Sequence, residues 1–303
     1  MKDFIKNDHY TIQRKDKEFL LNTEVVQNIL KENISVNDSL EKVENTFGTA
    51  YVFDSNMYWE NIITQAILSD NIFPFYQKIV DDDNNIIKYE ALMRLKRFNT
   101  KGEEEILTPD SFLNKSKETY QYHALSIIMI KKVFEKMENE DVSFSINISI
   151  LDIENEMFLF NLKQLVDRHH KEQIKLFKKV NPICFEIIED KQIYDYDLLS
   201  DFINEFKDKN IDIAIDDFGS GYSSFMHLLK IKPTYLKLDG SLIKNIDTDI
   251  DAKIVVDGIL KIAHELKIKI IAEYVHCKEI FDLLKKMGID MFQGYFIGKP
   301  NLL

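Results

Sequence analysis

From about residue 70 to the end of the chain, short apolar runs alternate with longer segments whose apolar positions recur every three or four residues. The first pattern fits buried or half-buried strands and the second fits amphipathic helices. Eight strand runs can be placed: IFPFYQKIV (72–80), IIKYEALMRL (86–95), VSFSINISI (142–150), PICFEIIE (182–189), IDIAIDD (211–217), TYLKLD (234–239), IKIIAEYV (268–275) and DMFQGYF (290–296). Helical patterns such as YHALSIIMIKKVFEKMEN, YDLLSDFINEFKDK, AKIVVDGILKIAHELK and CKEIFDLLKKMG separate them, the last closed by a glycine suited to a left-handed cap. Eight strands with interleaved helices predict an α/β fold, a (β/α)8 TIM-like barrel. The connection DDDNN after residue 80 is too short for a crossover helix, so the first strand should run antiparallel to the second.

Residues 1–65 read differently. They are polar, charge-rich and largely helical in pattern, with a turn near Asn33 to Asn37 and nothing that suggests chemistry. The expected organisation is a mainly helical N-terminal appendage over 1–65, serving regulation or dimer contact, and a barrel over 66–303.

Composition narrows the function. No apolar run approaches the ~20 residues of a membrane span, and the first residues lack an apolar signal core, so a cytoplasmic chain without a membrane segment is expected. Cys184 and Cys277 have no paired spacing and read as small core hydrophobes. A net charge of −12 opposes binding to DNA or to anionic lipid, and a phosphate ligand would need help from cations.

Active sites of such barrels gather where the strands end. There the second strand carries Glu90 and Arg94, and the following strands Asn147, Glu186 with Glu189, Asp216 with Asp217, Lys237 with Asp239, Glu273 and Gln293. Singly, each has a plainer reading. DDFGSGYSS makes a good solvated turn, Glu90 can face water, Asn147 can cap backbone and Lys237 can snorkel. Jointly, the recurrence of oxygen donors at one end of nearly every strand points to a site. Clustered carboxylates repel one another and lose hydration unless cations neutralise them, and hard oxygen donors suit magnesium or manganese. Two such ions side by side would stabilise attacking and leaving oxygens in phosphoester cleavage. Lys237 would orient water or meet charge developing on phosphate, and Arg94 suits a phosphate fork.

The motifs FPFYQKIV, YEALMRL, SINIS, FEIIE, DDFGSGYSS, LKLD, IAEYV and QGYFIGKP occur in the order of EAL-domain cyclic di-GMP phosphodiesterases, which this chain resembles over roughly residues 70–301. The resemblance implies a barrel with an antiparallel first strand, two Mg2+ or Mn2+ ions, hydrolysis of cyclic di-GMP to linear pGpG, and a homodimer through the barrel. It implies metal ligation by Glu90, Asn147, Glu186 and Asp216 at one ion, with Asp216, Asp217 and Glu273 around the second. It also gives Lys237 and Glu273 a part in activating water, Gln77, Leu92 and Arg94 contact with the dinucleotide, Gln293 a place at the back of the site, and Glu189 support of the DDFGSGYSS loop.

The chain departs from the family pattern at several points. Ile188 stands where threonine is usual, Tyr274 where glycine is usual, and His276 where a second glutamate is usual. Lys78 replaces a common proline and Gly240 a common arginine. Because a neutral imidazole cannot replace a carboxylate toward magnesium, these changes keep a second reading open, that of a receptor that binds cyclic di-GMP without cutting it.

Overall fold

The computed structural model describes residues 4–6, 9–14, 17–22, 53–99, 102–177, 179–188, 196–220 and 225–303. The chain forms two compact units, one of Met1–Ile72 with Arg94–Leu125 and one of Phe73–Met93 with Ser126–Leu303.

In the first unit, β1 (Phe4–Lys6), β2 (His9–Arg14), β3 (Lys17–Asn22) and β4 (Phe53–Asp54) form an antiparallel sheet in that order. The helix Ser55–Leu68 follows. That helix agrees with the expected helical appendage, whereas the described residues before it are strands. Apolar and polar letters alternate in HYTIQR, a strand-like pattern that dense charge obscures.

Eight further strands close into a barrel: β5 (Ile72–Val80), β6 (Ile86–Phe98), β8 (Ser143–Ser149), β9 (Ile183–Ile188), β10 (Ile211–Phe218), β11 (Tyr235–Leu238), β12 (Lys269–Ala272) and β13 (Met291–Gln293). From β6 to β13 the neighbours run parallel, and β5 pairs antiparallel with β13 while also pairing with β6. The short connection works as its composition demands. Asp81 accepts hydrogen bonds from the amides of Asp83 and Asn85, and Asn84 takes a left-handed φ of 69°.

Besides β1–β4, one more described strand lies outside the eight predicted runs. β7 (Glu104–Leu107) pairs with the extended end of β6, Leu95 facing Leu107 and Phe98 facing Glu104. Three consecutive glutamates hide it from a hydrophobicity reading, and Gly102, at φ 78°, serves the turn.

The helices Tyr122–Met137, Tyr196–Phe206, Ile250–Glu265 and Lys278–Met287 match the predicted patterns. Gly288, at φ 91°, caps the last of them in the left-handed conformation. A fifth helix, Glu156–Phe177, buries one of a histidine pair in its polar-looking sequence. His169 stacks on Phe134 at 4.3 Å, and burial lowers its pKa to about 4.

The barrel interior is layered. Ile79, Cys184, Ala214, Tyr235, Ile271 and Met291, one from each of six strands, form a buried apolar plug. Cys184 is thus the core hydrophobe expected of it, and Cys277 sits half-buried at the cap of the helix Lys278–Met287.

Candidate functional site

Two residues from each plug residue, toward the mouth, stands a polar one. Ile79 is matched by Gln77, Cys184 by Glu186, Ala214 by Asp216, Tyr235 by Lys237, Ile271 by Glu273 and Met291 by Gln293. Period-two alternation along a strand returns the side chain to the same face, so a polar ring rests directly on the plug. On β5 the order is reversed because that strand runs the other way. Glu90 and Asn147 complete the ring above Lys88 and Ser145, both buried.

At its centre lies Lys237, 1% exposed. Its Nζ is 2.6 Å from Glu186 Oε2, 2.8 Å from Asp216 Oδ1, 2.9 Å from Glu273 Oε1 and 3.5 Å from Glu90 Oε2. Four carboxylates therefore share one ammonium, leaving an excess of negative charge in a poorly hydrated place. The titration behaviour follows. Burial would lower the Lys237 pKa, but the four carboxylates overcome it and hold the ammonium well above its ordinary range. Burial, with the neighbouring Glu90 and Asp216, pushes Glu186 up to about 7 despite Lys237, and Glu273 is raised for similar reasons. Glu90 moves the other way: burial raises it, yet Lys237 and the donated hydrogen bonds of Gln293 and Asn147 bring it below its usual value. Those bonds run from Asn147 Nδ2 to Glu90 Oε1 at 3.2 Å and from Gln293 Nε2 to Glu90 Oε2. Gln293 Nε2 also donates to Gln77 Oε1 at 3.2 Å, and Gln77 Nε2 donates to the Gly298 carbonyl at 3.0 Å.

Consecutive strand residues normally face opposite sides, yet Asp216 and Asp217 belong to one cluster with Glu273, their carboxylate oxygens lying within 4.8 Å of one another. The backbone explains this. The pairing of β10 with β11 shifts register between Ile215 and Phe218, and Asp217 adopts a left-handed φ of 51°. Such a bulge re-aims a side chain at the end of a strand. Burial and the neighbouring Asp216 raise Asp217 to about 6.

These residues fit a divalent cation on internal grounds. Asn147 Oδ1 and Glu186 Oε1 are buried acceptors with no hydrogen-bond donor among the described residues. Orphaned oxygens beside mutually repelling carboxylates are what a hard cation satisfies.

The polar ring floors a cavity of 640 Å³ that Leu92, Asp239, Gly240, Tyr274, His276 and Tyr295 also line. Ten of the twelve predicted site residues thus come together: Gln77, Glu90, Leu92, Asn147, Glu186, Asp216, Asp217, Lys237, Glu273 and Gln293. Arg94 follows Leu92 by two residues on β6. Glu189 lies outside the described residues. Asp239 and Tyr295 had no predicted role. Asp239 caps the short helix Gly240–Ile243 by accepting the Ser241 amide at 2.9 Å. Its signal was the strand-Asp-Gly junction in LKLDGS.

A largely parallel barrel with an acidic mouth defines a class of hydrolytic or ligand-binding domains, and comparison gives the family. The EAL domain model matches residues 60–300, and the chain belongs to the EAL domain family. It is 30% identical over 249 residues to the cyclic di-GMP phosphodiesterase PdeF of Escherichia coli (strain K12), a match spanning 80% of this chain and 32% of that protein. It is 28% identical over 302 residues to the cyclic di-GMP phosphodiesterase PdeA of Borreliella burgdorferi (strain ATCC 35210 / DSM 4680 / CIP 102532 / B31), spanning 93% of this chain and 44% of that one. The chain thus spans less than half the length of either relative. Among solved structures, the EAL enzyme Bd1971 with cAMP and cyclic di-GMP bound matches with a TM-score of 0.72 and 25% identity, over 94% of this chain and 78% of that one. Among the described residues, no helix is long and apolar enough to cross a membrane.

Proposed function

We propose that this chain hydrolyses cyclic di-GMP to linear pGpG with the help of two Mg2+ or Mn2+ ions. The observation that carries this reading is the convergence of eight polar residues, one per strand, into a mouth with surplus negative charge, in a barrel whose relatives are cyclic di-GMP phosphodiesterases. Glu90, Asn147, Glu186 and Asp216 would hold one ion, with Asp216, Asp217 and Glu273 around the other. When bound, the ions supply the positive charge that activates water and offsets charge on the phosphate oxygens.

The remaining work falls to side chains. Lys237, held charged by its four neighbours, keeps the carboxylates together and faces negative charge as it develops on phosphate. Glu273, raised above the ordinary carboxylate range, accepts the proton of the attacking water. The water oxygen bonds to phosphorus, the bond from phosphorus to the 3′ oxygen breaks, and that oxygen takes a proton from solvent while Glu273 returns its own to solvent, which gives a product with a 5′ phosphate. Gln77, Leu92 and Arg94 bind the dinucleotide, Gln293 orients Glu90 from behind, and Glu189 supports the loop after β10. The reading includes a cytoplasmic homodimer formed through the barrel, with residues 1–65 in a regulatory or contact role.

A receptor that binds without cutting is favoured by one observation, the imidazole of His276 on the cavity wall where the family pattern has a carboxylate. The deciding experiment incubates the purified chain with cyclic di-GMP and manganese or magnesium and follows pGpG by chromatography. Product should form, disappear with chelator, and fall by at least ~10³-fold in Asp216→Ala. Saturable binding of intact cyclic di-GMP with no product would establish the receptor instead.

A further inference from the structure

Above the carboxylates, the cavity wall carries an aromatic side chain on unfavourable backbone. Tyr274 has φ 56°, a left-handed conformation that crowds any residue with a Cβ. The residue is 51% exposed, so it fills no core, and it lines the cavity. The ring has neighbours that fix it in place. It packs edge-on against His276 at 5.5 Å and 62°, and His276 Nδ1 lies 3.2 Å from the Tyr274 carbonyl.

Room for the ring comes from across the lip. A Cβ built on Gly240 would stand 2.9 Å from Tyr274 Cβ and 3.2 Å from Cγ, closer than packing allows. Gly240 and Tyr274 are therefore a complementary pair, the bare backbone of one accommodating the side chain of the other. Where the family pattern has a cationic side chain at 240 and none at 274, this chain has an aromatic ring at 274 and none at 240.

A strained, half-exposed ring beside a polar floor gains most from a flat partner that covers its face. We propose that Tyr274 is a positioning residue that stacks against one purine base of the cyclic dinucleotide while the phosphates lie over the polar ring. This inference rests on the cyclic di-GMP reading above. Base-on-aromatic stacking needs no hydrogen-bond code and is strong enough to set affinity.

The test titrates cyclic di-GMP into the full chain in calcium, so that binding is read apart from turnover, and records Tm alongside. Tyr274→Gly should weaken binding roughly tenfold while raising Tm, because glycine relieves the left-handed backbone. A ring with a merely structural role would lower Tm on removal. Tyr274→Phe should retain both affinity and Tm. Gly240→Ala should weaken binding by displacing the ring, yet add nothing in a Tyr274→Gly background. Unchanged affinity in Tyr274→Gly, against a wild type that binds, would overturn the stacking role alone. A wild type that binds no cyclic di-GMP would overturn the functional reading and this inference with it.

Discussion

Two layers of one barrel, about 7 Å apart along the strands, handle buried lysine in opposite ways. In the lower layer Lys88, 2% exposed, places its Nζ 3.3 Å from the centroid of the Tyr235 ring and has no hydrogen-bond partner among the described residues. In the upper layer Lys237 is equally buried and gathers four carboxylates. Below, an isolated cation leans on a π face inside an apolar plug. Above, the cation organises more negative charge than it can balance. The same residue type is thus a packing element in one layer and the hub of a charged site in the next, and the upper layer alone retains a demand for further positive charge.

The sharpest way to break this contrast is to remove each ammonium in turn. Lys237→Met leaves its carboxylates uncompensated and should cost about 3–5 kcal/mol of unfolding free energy in chelator, as measured by denaturant titration at pH 7.5, and should abolish pGpG formation. A smaller effect follows from pH. The carboxyl of Glu186 is raised in the folded chain, to about 7 from an ordinary 4.5, so the folded state holds its proton more tightly than the unfolded one. The stability this provides is present below pH 4.5 and is lost as pH rises toward 7. A bound divalent ion would take over the proton's role there, so manganese should raise Tm by about 5 °C more at pH 8 than at pH 5.5 in scanning calorimetry. The smallest effect is expected at the other lysine. Lys88→Met exchanges an unpaired buried cation for an apolar chain of similar length, and should leave stability unchanged or raise it by up to ~2 kcal/mol, with hydrolysis intact.

Much of the upper layer was legible in sequence because its residues sit at strand ends, where a polar letter interrupts an apolar run. Glu186 in FEIIE, Asp216 in IDIAIDD and Lys237 in LKLD all stand out in this way. The lower layer was less legible. Lys88 in IIKYEAL looks like any strand lysine, since burial depends on which face of β6 turns inward and on Tyr235, almost 150 residues away. The charge-masked strand β7 and the burial of His169 escaped for a related reason, because their partners are supplied by tertiary structure and not by local pattern. The departures at Gly240 and Tyr274 were visible as separate substitutions. Their complementarity became visible only when β11 and β12 brought the two loops together. So too with Asp216 and Asp217. The sequence placed them side by side, and the bulge in β10 with its left-handed Asp217 explains how both join one cluster.

The surplus negative charge of the upper layer should bind a divalent cation. Calorimetric titration of manganese into the metal-free chain at pH 8 tests it without reference to catalysis. Saturable binding that vanishes in Asp216→Ala, the carboxylate proposed to touch both ions, is the predicted result. Absence of saturable binding, or binding that survives in Asp216→Ala, would contradict it.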